Sequence, residues 1–177
     1  EVILLGPRYE WSNSHAQYSR SQDPQACHDI MIQHTHGPVD DPPEGHRLGS
    51  GDIHVIRDDG TNFRSLPWGR TENEYAQGHQ CWRGPTTWAI SSTITVAPTE
   101  SNPDAVRCEL IEAQPCAHVD HIGKGHPDAL RNNLTRDLDN PQFYHFGVDR
   151  DGTAIIADYF HPNGSPFHPE GKTLLYW

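Results

Sequence analysis

In Gln142-Phe143-Tyr144-His145-Phe146-Gly147-Val148-Asp149-Arg150-Asp151-Gly152-Thr153-Ala154-Ile155-Ile156-Ala157-Asp158, an Asp-Gly pair stands between two segments that alternate apolar and polar residues. Alternation of period two marks a strand, and Asp-Gly supplies the positive φ that a tight hairpin turn needs. The stretch is therefore expected to form a β-hairpin. Gln142 and His145, three apart at its start, are candidate metal ligands.

The same pattern occurs twice more upstream. Ser14-His15-Ala16-Gln17-Tyr18-Ser19 leads into a turn at Asp23-Pro24, and Cys27-His28-Asp29-Ile30-Met31-Ile32-Gln33-His34-Thr35-His36 reads as a strand stopped by Gly37-Pro38. Asp52-Ile53-His54-Val55-Ile56-Arg57, the turn Asp58-Asp59-Gly60 and the segment 62–67 make a second hairpin. The pattern restarts at Gly78-His79-Gln80-Cys81-Trp82, continues through 87–93, and is expected to close with a hairpin of 105–111 and 116–121. Residues 124–140 are polar and read as a loop or short helix, and 172–177 begins a last strand.

His15, His79 and His145 fall at corresponding places in the three starts, roughly 65 residues apart. Repeats of four antiparallel strands predict an all-β chain, a β-propeller with blades at about 12–68, 76–121 and 142–177. Propellers close with roughly four to eight blades, and an arc of three leaves open strand edges. The expectation is a single propeller region over 1–177 whose remaining blades come from the same longer chain or a partner chain. The competing architecture is a small β-sandwich in which the His spacing carries no meaning.

Composition agrees with a turn-rich β protein: 15 Gly and 15 Pro among 177 residues leave little room for long amphipathic helices. A net charge of −11 argues against nucleic acid or an anionic membrane held on a broad basic surface, but admits an anionic small substrate where positive charge is local. No run approaches the roughly 18 apolar residues of a membrane span, and the opening residues do not read as a signal peptide, so the expected location is the cytoplasm. Cys108 and Cys116 either face each other across a hairpin as a disulfide or, like Cys27 and Cys81, are buried free thiols. The acidic turns 58–60 and 149–152 lack the further oxygen ligands of calcium loops and read as plain turns.

The 13 His residues point to metal or proton chemistry. In a propeller the first strand of each blade lines the central channel, so His79 and His145 are expected to meet near its mouth, joined by Gln142. Two imidazoles and an amide oxygen suit Mn²⁺, Zn²⁺ or a similar ion. His34 and His36, two apart on a strand, share a face, and either is a candidate ligand or base.

In the order and spacing of Ser14–Ser19 with Asp23-Pro24, His34-Thr35-His36-Gly37-Pro38, Gly78-His79-Gln80-Cys81-Trp82 and Gln142–Asp158, the chain resembles the C-terminal half of the oligogalacturonate lyases, seven-bladed propellers related to TolB-type repeats. The resemblance implies a divalent ion, typically Mn²⁺, on His79, Gln142 and His145; the family's last ligand falls on Gly147, which has no side chain to coordinate with, so that the outcome is water in its place, a nearby His such as His161, or loss of the metal. It further implies His34 as the base, with His36 beside it at the substrate and Arg8 assisting substrate binding. The implied reaction is β-elimination on an acidic oligosaccharide: the base takes the C5 proton, the C4–O bond breaks with its electron pair leaving on the glycosidic oxygen, and a 4,5-unsaturated sugar results.

Overall fold

The computed structural model describes residues 15–35, 51–69, 74–101, 105–117, 130–159 and 173–176. Arg8, His36 and His161 lie outside them.

The described residues form twelve strands and no α-helix. Sheet A contains β1 (Gln17–Tyr18), β2 (Asp29–Thr35), β3 (Gly51–Arg57), β4 (Arg64–Ser65) and β8 (Cys116–Ala117), in the order β1-β2-β3-β4-β8. Sheet B runs β5 (Glu74–Trp82), β6 (Ala89–Val96), β7 (Val106–Ala113) and β9 (Arg131–Asn133). Sheet C runs β10 (Phe143–Val148), β11 (Ile155–Tyr159) and β12 (Thr173–Tyr176). Every strand pairing is antiparallel, and among the described residues the sheets do not close into a ring.

Both acidic hairpin turns form where their residues demand them. Gly60 and Gly152 take φ of 83° and 76°, and Asp149 accepts hydrogen bonds from the backbone N–H groups of Thr153 and Ala154. Those bonds, with the Thr153 hydroxyl, hold the Asp149 carboxyl below its usual pKa. Thr61 does the same for Asp59 through its hydroxyl and N–H. These carboxylates are committed to their own turns.

Two apolar seams join the sheets. Met31, Ile53, Val55, Leu66 and Trp68 pack with Ala76, Trp82, Ala89, Ile111 and Ala113 between A and B. Ile90 and Leu110 pack with Phe143, Ile155 and Ala157 between B and C. Sheet B thus lies between the other two, with Ala89 and Ile90 on β6 facing opposite seams. That is why β6 is buried at five successive positions rather than alternating. At about 1.5–3 kcal/mol for each large side chain buried, these seams are the main force holding the sheets together.

Two elements depart from the sequence expectation. Cys116–Ala117 does not fold back on β7; it crosses to sheet A, pairs with β4, and its thiol donates to the Ser65 carbonyl at 3.3 Å. Cys108 stays in sheet B, and all four cysteines are free thiols. The fourth strand of sheet B comes instead from the polar segment expected to be a loop, beyond the predicted end of the second blade at 121. Arg131 bonds Glu74 at 2.6 Å and Asn132 bonds Glu112 at 3.0 Å, so polar pairs rather than an apolar stripe hold β9 in place.

Candidate functional site

Three segments from three sheets converge on a hollow of about 160 Å³ lined by His15, Gly78, His79, Gln80, His145 and Phe146. The three imidazoles singled out by their spacing therefore share one site.

Each is delivered by a local irregularity. On β5, Ala76 pairs with Thr93 and Gln80 with Ser91, so three residues, 77 to 79, stand opposite Ser92 alone. On β10, Phe143 pairs with Tyr159 and Phe146 with Ala157, so Tyr144 and His145 oppose Asp158 alone. Bulges re-aim side chains, and here two of them sit at matching places on neighbouring sheets. Gly78 makes the first possible with φ of 85°, and its missing Cβ leaves room for the Gln33 amide. His15 arrives differently: Gln17 donates to the Gln80 carbonyl at 2.8 Å and Trp82 donates to the Gln17 carbonyl at 3.0 Å, clamping β1 against β5 two residues after His15.

The rings form a compact group. His79 lies 4.5 Å from Tyr144 and 4.7 Å from His145, centroid to centroid, and Tyr144 lies 4.5 Å from His145. Burial pushes the His79 pKa down, His145 pushes it further, the Asp158 charge opposes the shift, and His15 adds a smaller downward push. A neutral imidazole is the metal-binding and proton-accepting form. Its Nδ1 is buried without a hydrogen-bond partner among the described residues. His145, by contrast, is anchored: both its backbone N–H and its Nδ1 lie 2.7 Å from the Asp158 carboxylate. Asp158, on the returning strand of the hairpin that carries His145, is a site residue that the sequence pattern does not single out.

Gln142 is not brought to the hollow. It forms a parallel bridge with Cys108 on β7, its amide nitrogen donates to the Val106 carbonyl at 2.8 Å and to Asn140 at 3.0 Å, and it is almost wholly buried. The entry into β10 is tied to sheet B, with the Cys108 N–H donating to the Pro141 carbonyl and the Ser92 hydroxyl to that of Phe143, and the chain turns toward the hollow only at the bulge. The backbone of His34, next to Gln33 on β2, pairs with that of Asp52 on β3. Gly147 pairs with Ile156, two residues beyond His145.

The donor types suit a divalent ion in part: one imidazole is kept neutral and another is backed by a carboxylate, the usual support of a metal-bound His. Among the described residues, no group of three or more His, Cys, Asp or Glu is arranged to hold a metal ion. No helix among them is long and apolar enough to cross a membrane. No family model, curated protein or solved structure matches the chain.

Proposed function

We propose that the three sheets are consecutive blades of a β-propeller, its other blades supplied by the same or a partner chain, and that the hollow is the active site of a lyase acting on short oligouronides. The observation that carries this reading is the meeting of His79 and His145, from matching bulges on the first strands of successive sheets, in one hollow. The resemblance to oligogalacturonate lyases supplies the substrate class and the reaction.

In this reading His79 and His145 would hold a divalent ion, Mn²⁺ first among the candidates. The ion would supply positive charge to neutralise the uronate carboxylate and acidify the C5 proton. The chain's own residues bind and orient: His79 offers a neutral ring, Asp158 steadies His145, and the acidic chain accepts an anionic sugar because the charge is matched locally. His34 is the proposed base, removing the C5 proton as the C4–O bond breaks. His36 and Arg8 are proposed to contact the substrate.

The test is incubation of the full-length protein with oligogalacturonate and other oligouronides plus Mn²⁺, following the ultraviolet absorbance of the unsaturated product. Wild-type turnover lost in His79→Ala, His145→Ala and His34→Ala is the expected result; His34→Ala turning over normally would remove the base assignment. A second reading, a propeller that binds sugar or protein without catalysis, is favoured by the engagement of Gln142 away from the hollow. Sugar binding without any unsaturated product would select it.

A further inference from the structure

We propose that Asp158 is a positioning residue that fixes His145 as the tautomer protonated on Nδ1, leaving Nε2 bare for a ligand. The inference rests on the metal-site reading of the hollow, but its central claim is measured without metal.

The argument is one of donors and acceptors. The bulge on β10 leaves Tyr144 and His145 opposite Asp158, and the His145 backbone N–H turns to the Asp158 side chain. One carboxylate oxygen of Asp158 accepts that N–H at 2.7 Å and the other meets Nδ1 at 2.7 Å. A carboxylate only accepts, so in the neutral ring Nδ1 carries the proton and Nε2 keeps its lone pair. The pair is well exposed, 61% for the His145 side chain and 47% for Asp158. Such a pair adds little stability, so its two-point fit to a single residue has its main consequence in the orientation and tautomer of the ring. His145 also packs edge-on against both His79 and Tyr144, which restricts its rotation.

Asp158→Asn keeps the shape and changes the chemistry. An amide has one acceptor and one donor group; the backbone N–H, which can only donate, takes the amide oxygen, and the NH₂ then faces Nδ1. The ring must accept there and carry its proton on Nε2, where a metal cannot bind.

The experiment reads the ring nitrogens of His145 by long-range ¹H–¹⁵N correlation in the metal-free protein, with the pH raised until the ring signals no longer change, and then titrates Mn²⁺ calorimetrically. Expected are the Nδ1–H tautomer in wild type, the Nε2–H tautomer in Asp158→Asn, and about 10–100-fold weaker Mn²⁺ binding in the variant. A wild-type His145 protonated on Nε2, or an unchanged tautomer in a folded Asp158→Asn, overturns the proposal. If the variant does not fold, the wild-type tautomer alone decides. A wild type with the Nδ1–H tautomer and the expected switch, but with no affinity for Mn²⁺, leaves the role of Asp158 standing and removes the metal from the proposed function.

Discussion

The imidazole of His79 meets that of His145 edge to face, with ring centroids 4.7 Å apart and planes at 80°. The two residues are far apart in the chain and belong to different sheets, so their contact reports how β5 and β10 are set against each other. It also couples them electrically. A proton on His145 makes a proton on His79 less favourable, in addition to the larger effect of burial on His79.

The pH dependence of stability follows from that depressed pKa. An unfolded chain with His79 near its ordinary value of about 6.5 binds more protons than the native protein between the native pKa and that value. The contribution of neutral His79 is thus complete above about pH 6.5 and is lost as pH falls below it. With chelator present, the Tm of the wild type should fall between about pH 7.5 and 5.5, and His79→Gln should flatten that slope. An equally steep slope in His79→Gln would rule out this source.

Two glycines should tolerate a methyl group unequally. A Cβ on Gly84, at φ of 54°, would lie 2.4 Å from the Gly152 nitrogen, which is backbone and cannot swing aside. On Gly78, at φ of 85°, it would meet the Gln33 amide at 2.4 Å, the end of a flexible side chain. Gly84→Ala is expected to cost about 2–4 kcal/mol and Gly78→Ala about 1–3 kcal/mol, measured by denaturant unfolding. The reverse order would contradict the packing of the 83–88 turn on the 149–152 turn.

Much of this was legible in the sequence because the signals are local. Asp59-Gly60 and Asp151-Gly152 mark their turns, and separations of roughly 65 residues put His15, His79 and His145 at corresponding places. What could not be read depends on partners distant in the chain. Arg131 and Asn132 have no apolar alternation; they form a strand because Glu74 and Glu112 await them in sheet B. Gln142 and His145 look like one ligand pair at a spacing of three, yet the bulge begins between them and sends them to different surroundings. Asp158 pairs with His145 only because of that bulge, and no residue pattern announces the extra residue on β10.

The thiols of Cys81 and Cys108 should be unreactive in the folded protein. Burial pushes Cys81 up to about 12, against a small opposing effect of Arg20, and Cys108 up to about 11. At about pH 8 almost no thiolate is present at either, so alkylation should wait for unfolding. Peptide mass spectrometry after brief native labelling checks this. Rapid modification of Cys81 in the native state would mean that β5 opens far more readily than its packing indicates.

Gly147 is where the resemblance places a ligand that this chain lacks, and the structure has room for a side chain there. A Cβ would touch only Ile156 Cγ2 at 3.6 Å, an ordinary contact, and the backbone does not adopt the left-handed conformation. Glycine also weakens a strand interior relative to residues with a side chain. Gly147→Ala should therefore match or exceed wild-type stability, within about 1 kcal/mol. Gly147→His should fold equally well and add an imidazole two residues beyond His145 on the same strand. If His79 and His145 are metal ligands, the added donor should tighten Mn²⁺ binding by at least about tenfold, read by calorimetry. A folded Gly147→His with wild-type affinity would show that the ion, if bound, does not lie on the side of β10 that the resemblance assigns to it.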